Sequence, residues 1–140
     1  LKPVVIDPSA SAAWVMPDEA SDAARDLYAL ACAEEGIFHA PQLWQWEMGN
    51  LLMMGHVRKR IPAELVEQGL EILAAARVSL DAAPNAHRQS QVARLALTHG
   101  LTFYDAAYLE LVLRLNGQLA SADRALLAAA KACGIVCMTF

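Results

Sequence analysis

No stretch of this sequence approaches the ~20 consecutive apolar residues of a membrane-spanning helix. A membrane location is therefore not expected. Nor does the chain open on a basic segment followed by an apolar core, so no secretion signal is read there and the cytoplasm is the expected compartment. Cysteine is sparse. Cys32, Cys133 and Cys137 form an odd set without the paired spacing of a zinc site, and are expected as reduced thiols in the core. His39, His56, His87 and His99 show no ligand spacing among themselves. The sequence carries neither a Gly-rich phosphate loop nor a Ser/His/Asp triad motif. Gly/Ser linkers, low-complexity tracts and internal repeats are also absent. Basic residues are outnumbered, 11 Lys and Arg against 15 Asp and Glu for a net charge of −4, which argues against a general binder of phosphate backbones. The one basic run, Arg58-Lys59-Arg60, reads as a solvated helix end, with contact to RNA phosphates or to a partner as the alternative.

What is present is a chain of 140 residues with 56% hydrophobic content and a mean hydropathy of +0.30. That is enough for one domain with a real core and too apolar for disorder. Residues 1–140 are read as a single domain. Lys2 to Ile6 reads as a short buried strand, followed by helix from Ser9 to Met16. Asp18 is the expected N-cap of a second helix that runs to about Glu35, with Gly36 as its stop. Ile37 to Ala40 is strand-like. Pro41 fits the first turn of a helix reaching about Arg60, and Pro62 opens another to about Ala76. Val78 to Leu80 is a third strand, and Asn85 caps a helix that ends near His99-Gly100. Thr102 is a cap or brief strand before a helix from Tyr104 to Leu115, and Asn116-Gly117 is a turn. Gln118 to Ser121, a helix from Asp123 to Cys133, and Ile135 to Met138 complete the pattern. Short apolar strands alternating with amphipathic helices predict an α/β fold of three layers, α/β/α, around a short central and mostly parallel sheet.

Four acids stand in apolar surroundings. Asp7 ends the run Val4-Val5-Ile6. Glu47 lies within Leu43-Trp44-Gln45-Trp46-Glu47-Met48, Asp105 follows Leu101-Thr102-Phe103-Tyr104, and Asp123 follows Leu119-Ala120-Ser121-Ala122. A carboxylate in such a setting is costly unless it is paired or binds a cation. Ligands of open parallel sheets bind at the carboxyl ends of the strands. Each acid follows a strand or lies in an early turn of the following helix, so all four can point to one edge. Taken singly, Asp7 and Asp123 could be helix caps and Asp105 a first-turn acid. Glu47 has no such explanation: on a helical wheel it shares a face with Leu43, Leu51 and Met54, with Asn50 beside it, and that face is expected to meet the interior. Acids brought this close repel one another and raise their own pKa values. Mg²⁺ or Mn²⁺ removes that penalty, and can activate water and stabilise charge on a phosphoryl group. Setting the four acids aside leaves 11 basic residues against 11 acidic ones (15 less these four). The net acidity would then belong to the site, and a nucleic-acid substrate reached through a cation is compatible with it.

These segments resemble the motifs of the PIN-domain family. Val4-Val5-Ile6-Asp7-Pro8-Ser9 is similar to its opening strand, which ends in aspartate with a hydroxyl residue close behind. Glu47 with Asn50 three residues on resembles the second motif. Gly100-Leu101-Thr102-Phe103-Tyr104-Asp105-Ala106-Ala107-Tyr108 resembles the third and most specific, and Ser121-Ala122-Asp123 resembles the fourth, where threonine usually stands for Ser121. Pro8 is a second departure, since it removes one N–H beside Asp7. Order and spacing agree over nearly the whole chain, and the nearest likeness is to VapC-type toxins. The resemblance implies a divalent-metal-dependent endoribonuclease, the toxin of a type II toxin–antitoxin pair. Asp7 and Asp105 would be the central ligands of Mg²⁺ (or Mn²⁺), completed by Glu47 and Asp123, with Ser9, Asn50 and Ser121 in support. It implies an RNA substrate, a cognate antitoxin and a homodimer.

Trp44, Trp46, Met53 and Met54 share the helix of Glu47, and are read either as core or dimer packing or as a groove for an antitoxin helix. Two other functions compete. An inactive PIN-like module would bind a partner only. Another metal-dependent phosphohydrolase, such as a haloacid-dehalogenase-like phosphatase, would require a second aspartate two residues after the first, where this chain has Ser9.

Overall fold

A computed structural model describes residues 2–138. Five strands form one sheet in the order β3-β2-β1-β4-β5, with every neighbouring pair parallel. They are β1 (Val4–Ile6), β2 (Phe38–Pro41), β3 (Val78–Asp81), β4 (Gln118–Ala120) and β5 (Cys137–Met138). The helices are α1 (Pro8–Val15), α2 (Asp22–Ala33), α3 (Leu43–Val57), α4 (Glu64–Ala75), α5 (Ala86–His99), α6 (Phe103–Leu115) and α7 (Arg124–Ala132), with a 3₁₀ turn at Pro17–Glu19. Parallel pairing requires crossovers that lay helices on both faces, so the strands are buried on both sides and read as continuous apolar runs. β1 shows this at the centre of the sheet, where Val4, Val5 and Ile6 are all buried. Val5 and Leu119 join Leu109 and Val112 of α6 and Leu126 and Ala130 of α7 in one cluster. Val4, Ile6 and Phe38 join Ala10 of α1 with Leu27 and Ala31 of α2 in another. Alternate residues of β1 thus reach opposite helical layers, and the expected α/β/α architecture is the observed one, with a wholly parallel sheet.

The helix starts follow from side chains that satisfy otherwise unpaired N–H groups. Asp7 caps α1 ahead of Pro8, Asn85 caps α5, Thr102 caps α6 and Asp123 caps α7. α5 ends on Gly100 at φ +65°, a left-handed conformation that glycine adopts without steric cost.

Several sequence-based expectations are corrected. Asp18 does not cap α2. Arg60 holds Asp18 through bonds of 3.0 and 2.8 Å, and Ser21 accepts the Ala24 N–H instead. Pro41 is the last residue of β2, not part of the next helix. It pairs with Asp81 on β3, beyond the last residue pair that β2 forms with β1, so its missing N–H falls where no partner strand asks for it. Among the described residues the final strand covers Cys137–Met138, so Ile135 and Val136 stand outside it. The three cysteines are free but only half-buried, with Cys133 and Cys137 packed against the edge of the core. The buried face of α3 is Trp44, Met48, Leu52 and Gly55, so Leu43, Glu47, Leu51 and Met54 lie along its margin.

Candidate acidic active site

Asp7 is the most enclosed of the four acids. It leaves the end of the central strand, where its own N–H donates to the Ala120 carbonyl at 3.2 Å. Its carboxylate accepts the Ala10 N–H at 3.0 Å, the Ser9 hydroxyl at 2.7 Å and the Ser121 hydroxyl at 2.6 Å. The two hydroxyls are themselves held. Ser9 Oγ accepts the Ala122 N–H at 2.7 Å, and Ser121 Oγ accepts the Asp123 N–H at 3.0 Å. The start of α1 and the segment after β4 are therefore stitched together around one carboxylate. A second tie runs from Trp44, whose Nε1–H donates to Ser11 Oγ at 2.8 Å, while Ser11 donates to the Asp7 carbonyl at 2.8 Å. This fixes α3 against the Asp7 turn.

Glu47 and Asp105 face each other from α3 and α6. The Tyr108 hydroxyl donates to Glu47 Oε1 at 2.7 Å, and Thr102 Oγ1 accepts the Asp105 N–H at 3.1 Å. Tyr108 is a site residue not expected from the sequence. Its signal was its place three residues after Asp105, which puts both on one side of a helix. Asp123 spends Oδ1 on the Leu126 N–H at 2.9 Å.

Asp7 and Asp105 feel the charge of Asp123, and Glu47 feels the charges of Asp7 and Asp105. Burial raises the Asp7 carboxyl above its ordinary range, against the three hydrogen bonds that favour its charge, and the Asp123 charge raises it further. Burial also raises Glu47; the Tyr108 bond opposes this, and the charges of Asp105 and Asp7 add to it. Asp105 is raised by burial and by Asp123 and Asp7. The Tyr108 phenol is pushed far up by burial and by Glu47, so it remains a donor. Among the described residues, none of these acids has a Lys, Arg or His partner, whereas six other acids are ion-paired.

The donor set fits a hard divalent cation in its chemistry, since it offers carboxylate oxygens carrying unopposed negative charge. As positioned, the acids share a field and not a coordination sphere. Among the described residues no three His, Cys, Asp or Glu side chains form a group placed to hold a metal ion. The histidines lie apart: His39 meets the Gly36 carbonyl, His56 the Ile61 carbonyl and His99 the Cys133 thiol. Asn50 is exposed and lines a shallow depression with Trp46 and Met53, without a hydrogen bond to any acid among the described residues. Trp44 is a core residue, whereas Trp46 is 82% exposed.

The PIN domain family model matches residues 4–132. Ribonuclease VapC3 of Pyrobaculum aerophilum is 33% identical over 131 residues, covering 88% of this chain and 91% of that protein. The crystal structure of PAE2754 from Pyrobaculum aerophilum superposes with a TM-score of 0.71 at 25% identity, covering 97% of this chain and 83% of the other. The Mycobacterium tuberculosis toxin VapC20, described as cleaving the sarcin-ricin loop, shares the fold with a TM-score of 0.66 at 18% identity, over 90% of this chain and 94% of its own. With the acids in motif order around the end of the central strand and this agreement over nearly its whole length, the chain belongs to the PIN-domain family.

Proposed function

We propose that this protein is an endoribonuclease, the toxin of a type II toxin–antitoxin pair, dependent on Mg²⁺ or Mn²⁺. The observation that carries the reading is that Asp7, Glu47 and Asp105 are each raised by burial and by neighbouring acids, Asp123 among them, with no ion-paired cation on any of the four among the described residues. A protein tolerates such a cluster where a cation binds in use. Asp7 and Asp105 would be its central holders, with Glu47 and Asp123 completing the set. When bound, the ion would supply Lewis acidity, offsetting charge on phosphoryl oxygens and making water a better nucleophile near neutral pH. The chain's own residues do the rest. Ser9 and Ser121 fix both oxygens of Asp7. Tyr108 holds one oxygen of Glu47 and leaves the other available. The raised Glu47 carboxyl is a stronger base than an ordinary glutamate, as proton acceptance from water requires. Asn50, on the solvent side of α3, is available to the incoming strand rather than to the acids. An antitoxin and a second copy of the chain are proposed partners. Trp46 and Met53, 82% and 50% exposed, offer an apolar anchor for one of them.

The test is cleavage of total RNA by the isolated protein with Mg²⁺, Mn²⁺ or EDTA, beside Asp7→Asn and Asp105→Asn. Cuts at discrete positions that need the divalent ion and vanish in both variants are expected. Intact RNA throughout, from folded protein, would leave an inactive partner-binding module. Turnover of a small phosphate ester instead would favour a different phosphohydrolase.

A further inference from the structure

Beyond the ends of β2 and β3 lies a cavity of about 180 Å³ whose walls include Gln42, Leu43, Arg88, Val92, Phe103 and Tyr104. It is smaller than the ~300–1,000 Å³ of typical small-molecule sites, with room for one planar ring system and none for a dinucleotide cofactor. None of the four acids lines it, yet it is built on the same helix starts. Leu43 precedes Glu47 by one turn on α3, and Phe103 and Tyr104 immediately precede Asp105 on α6.

The walls are of two kinds. Phe103 is 46% exposed and Tyr104 63%, so the core uses neither ring fully. On another wall Arg88 is largely enclosed and rigidly held. Its Nη1 donates to Asp81 at 3.1 Å and its Nη2 to the Ala82 carbonyl at 2.8 Å. Asp81 accepts from Arg114 at 2.6 Å, and Arg114 donates to Glu110 at 2.8 and 3.0 Å. Asp81, Glu110 and Arg88 line the cavity while Arg114 stands outside it, so the lining carries no excess of positive charge to draw in a phosphate. What the network does is hold a planar guanidinium beside apolar and aromatic surface. A small slot without excess positive charge, with aromatic rings at one side and a fixed planar donor at another, matches the π-face and polar edge of a base, not a sugar–phosphate backbone.

We propose that this cavity seats one unpaired nucleobase of the RNA strand whose phosphate lies at the acidic cluster, with Phe103 or Tyr104 stacked on the ring and Arg88 and Gln42 at its edge. It thereby selects which nucleotide stands next to the cut. The proposal rests on the nuclease reading, and the experiment separates the two. Binding of labelled single-stranded oligoribonucleotides to the whole protein is measured in EDTA at low salt, with an abasic nucleotide moved through each position. One abasic position is expected to weaken binding by about 5- to 150-fold. Phe103→Ala and Tyr104→Ala together should weaken the intact oligomer by a similar factor and leave that abasic oligomer unchanged. Arg88→Lys, which keeps the charge and loses the plane, should alter the preference among bases. Equal binding of abasic and intact oligomers, or a base requirement indifferent to these variants, overturns the proposal; a cavity meant for an apolar side chain of a protein partner gives the first of these. Cleavage with Mg²⁺ or Mn²⁺ is read in parallel. Cutting without base dependence sinks the nucleobase site and leaves the nuclease, whereas base-dependent binding without cutting does the reverse.

Discussion

A carboxylate as enclosed as Asp7 needs donors, and two serine hydroxyls supply them. The Ser121 bond of 2.6 Å favours the ionised form of Asp7 against burial. Ser121→Ala should cost ~1.5–3 kcal/mol of stability where Asp7 is ionised, the range for a hydrogen bond to a charged group. It should also raise the Asp7 pKa further, so the acid limb of the cleavage–pH profile moves to higher pH. Ser121→Thr, which keeps the hydroxyl, should restore both. A profile unmoved by the alanine variant would mean that Ser121 does not hold the reactive form of Asp7. At this scale the sequence showed the four acids because each interrupts an apolar run. It did not show Tyr108 as the partner of Glu47, because the two are 61 positions apart and meet only through the packing of α3 on α6. Nor did it show that Asn50 faces solvent, since a wheel orders residues around a helix without saying which direction is inward.

The elements were legible where local chemistry decides them. Caps at Asp7, Asn85, Thr102 and Asp123 announce themselves through residue type. The errors came from tertiary competition. Asp18 has the chemistry of a cap but is claimed by Arg60 from the far end of α3. Glu47 lies at the margin of its helix because Trp44 and Met48, one position on, take the centre of the buried face. The turn before β4 gives a stability test. A Cβ on Gly117 would stand 2.5 Å from the Pro3 carbonyl oxygen, a backbone atom that cannot swing aside. That carbonyl also accepts the Gln118 N–H at 2.8 Å, so the approach is part of how β4 enters the sheet. Gly117→Ala should therefore destabilise the fold by ~1–3 kcal/mol in chemical denaturation, the usual cost of overpacking. An unchanged midpoint would show that the β4 entry can shift without loss.

For the molecule as a whole, the acidic cluster ties stability to pH in a definite sense. The folded pKa values of Asp7, Glu47 and Asp105 lie above their ordinary 3.8, 4.5 and 3.8. The folded state thus binds more protons than the unfolded one across the interval between. The contribution of these groups is fully present below the ordinary values and is lost as pH rises through the raised ones. Asp7→Asn should accordingly melt higher than wild type at pH 7, with the gap closing toward pH 4. Mg²⁺ or Mn²⁺ at 100 times its dissociation constant should stabilise the wild type at pH 7 by ~2.7 kcal/mol and shift the variant less. Melting curves indifferent to pH, to the substitution and to the ions would remove the electrostatic basis of the site.

Ser121 reaches back to Asp7 across 114 positions of the chain, and β1 finds its β4 neighbour only after β2 and β3 have been made. A piece that stops before Ser121 and Asp123 lacks two of the groups that surround Asp7. During synthesis Asp7 therefore leaves the ribosome 114 positions before the Ser121 hydroxyl that completes its surroundings. The order of the strands alone thus delays assembly of the acidic cluster until β4 has been made.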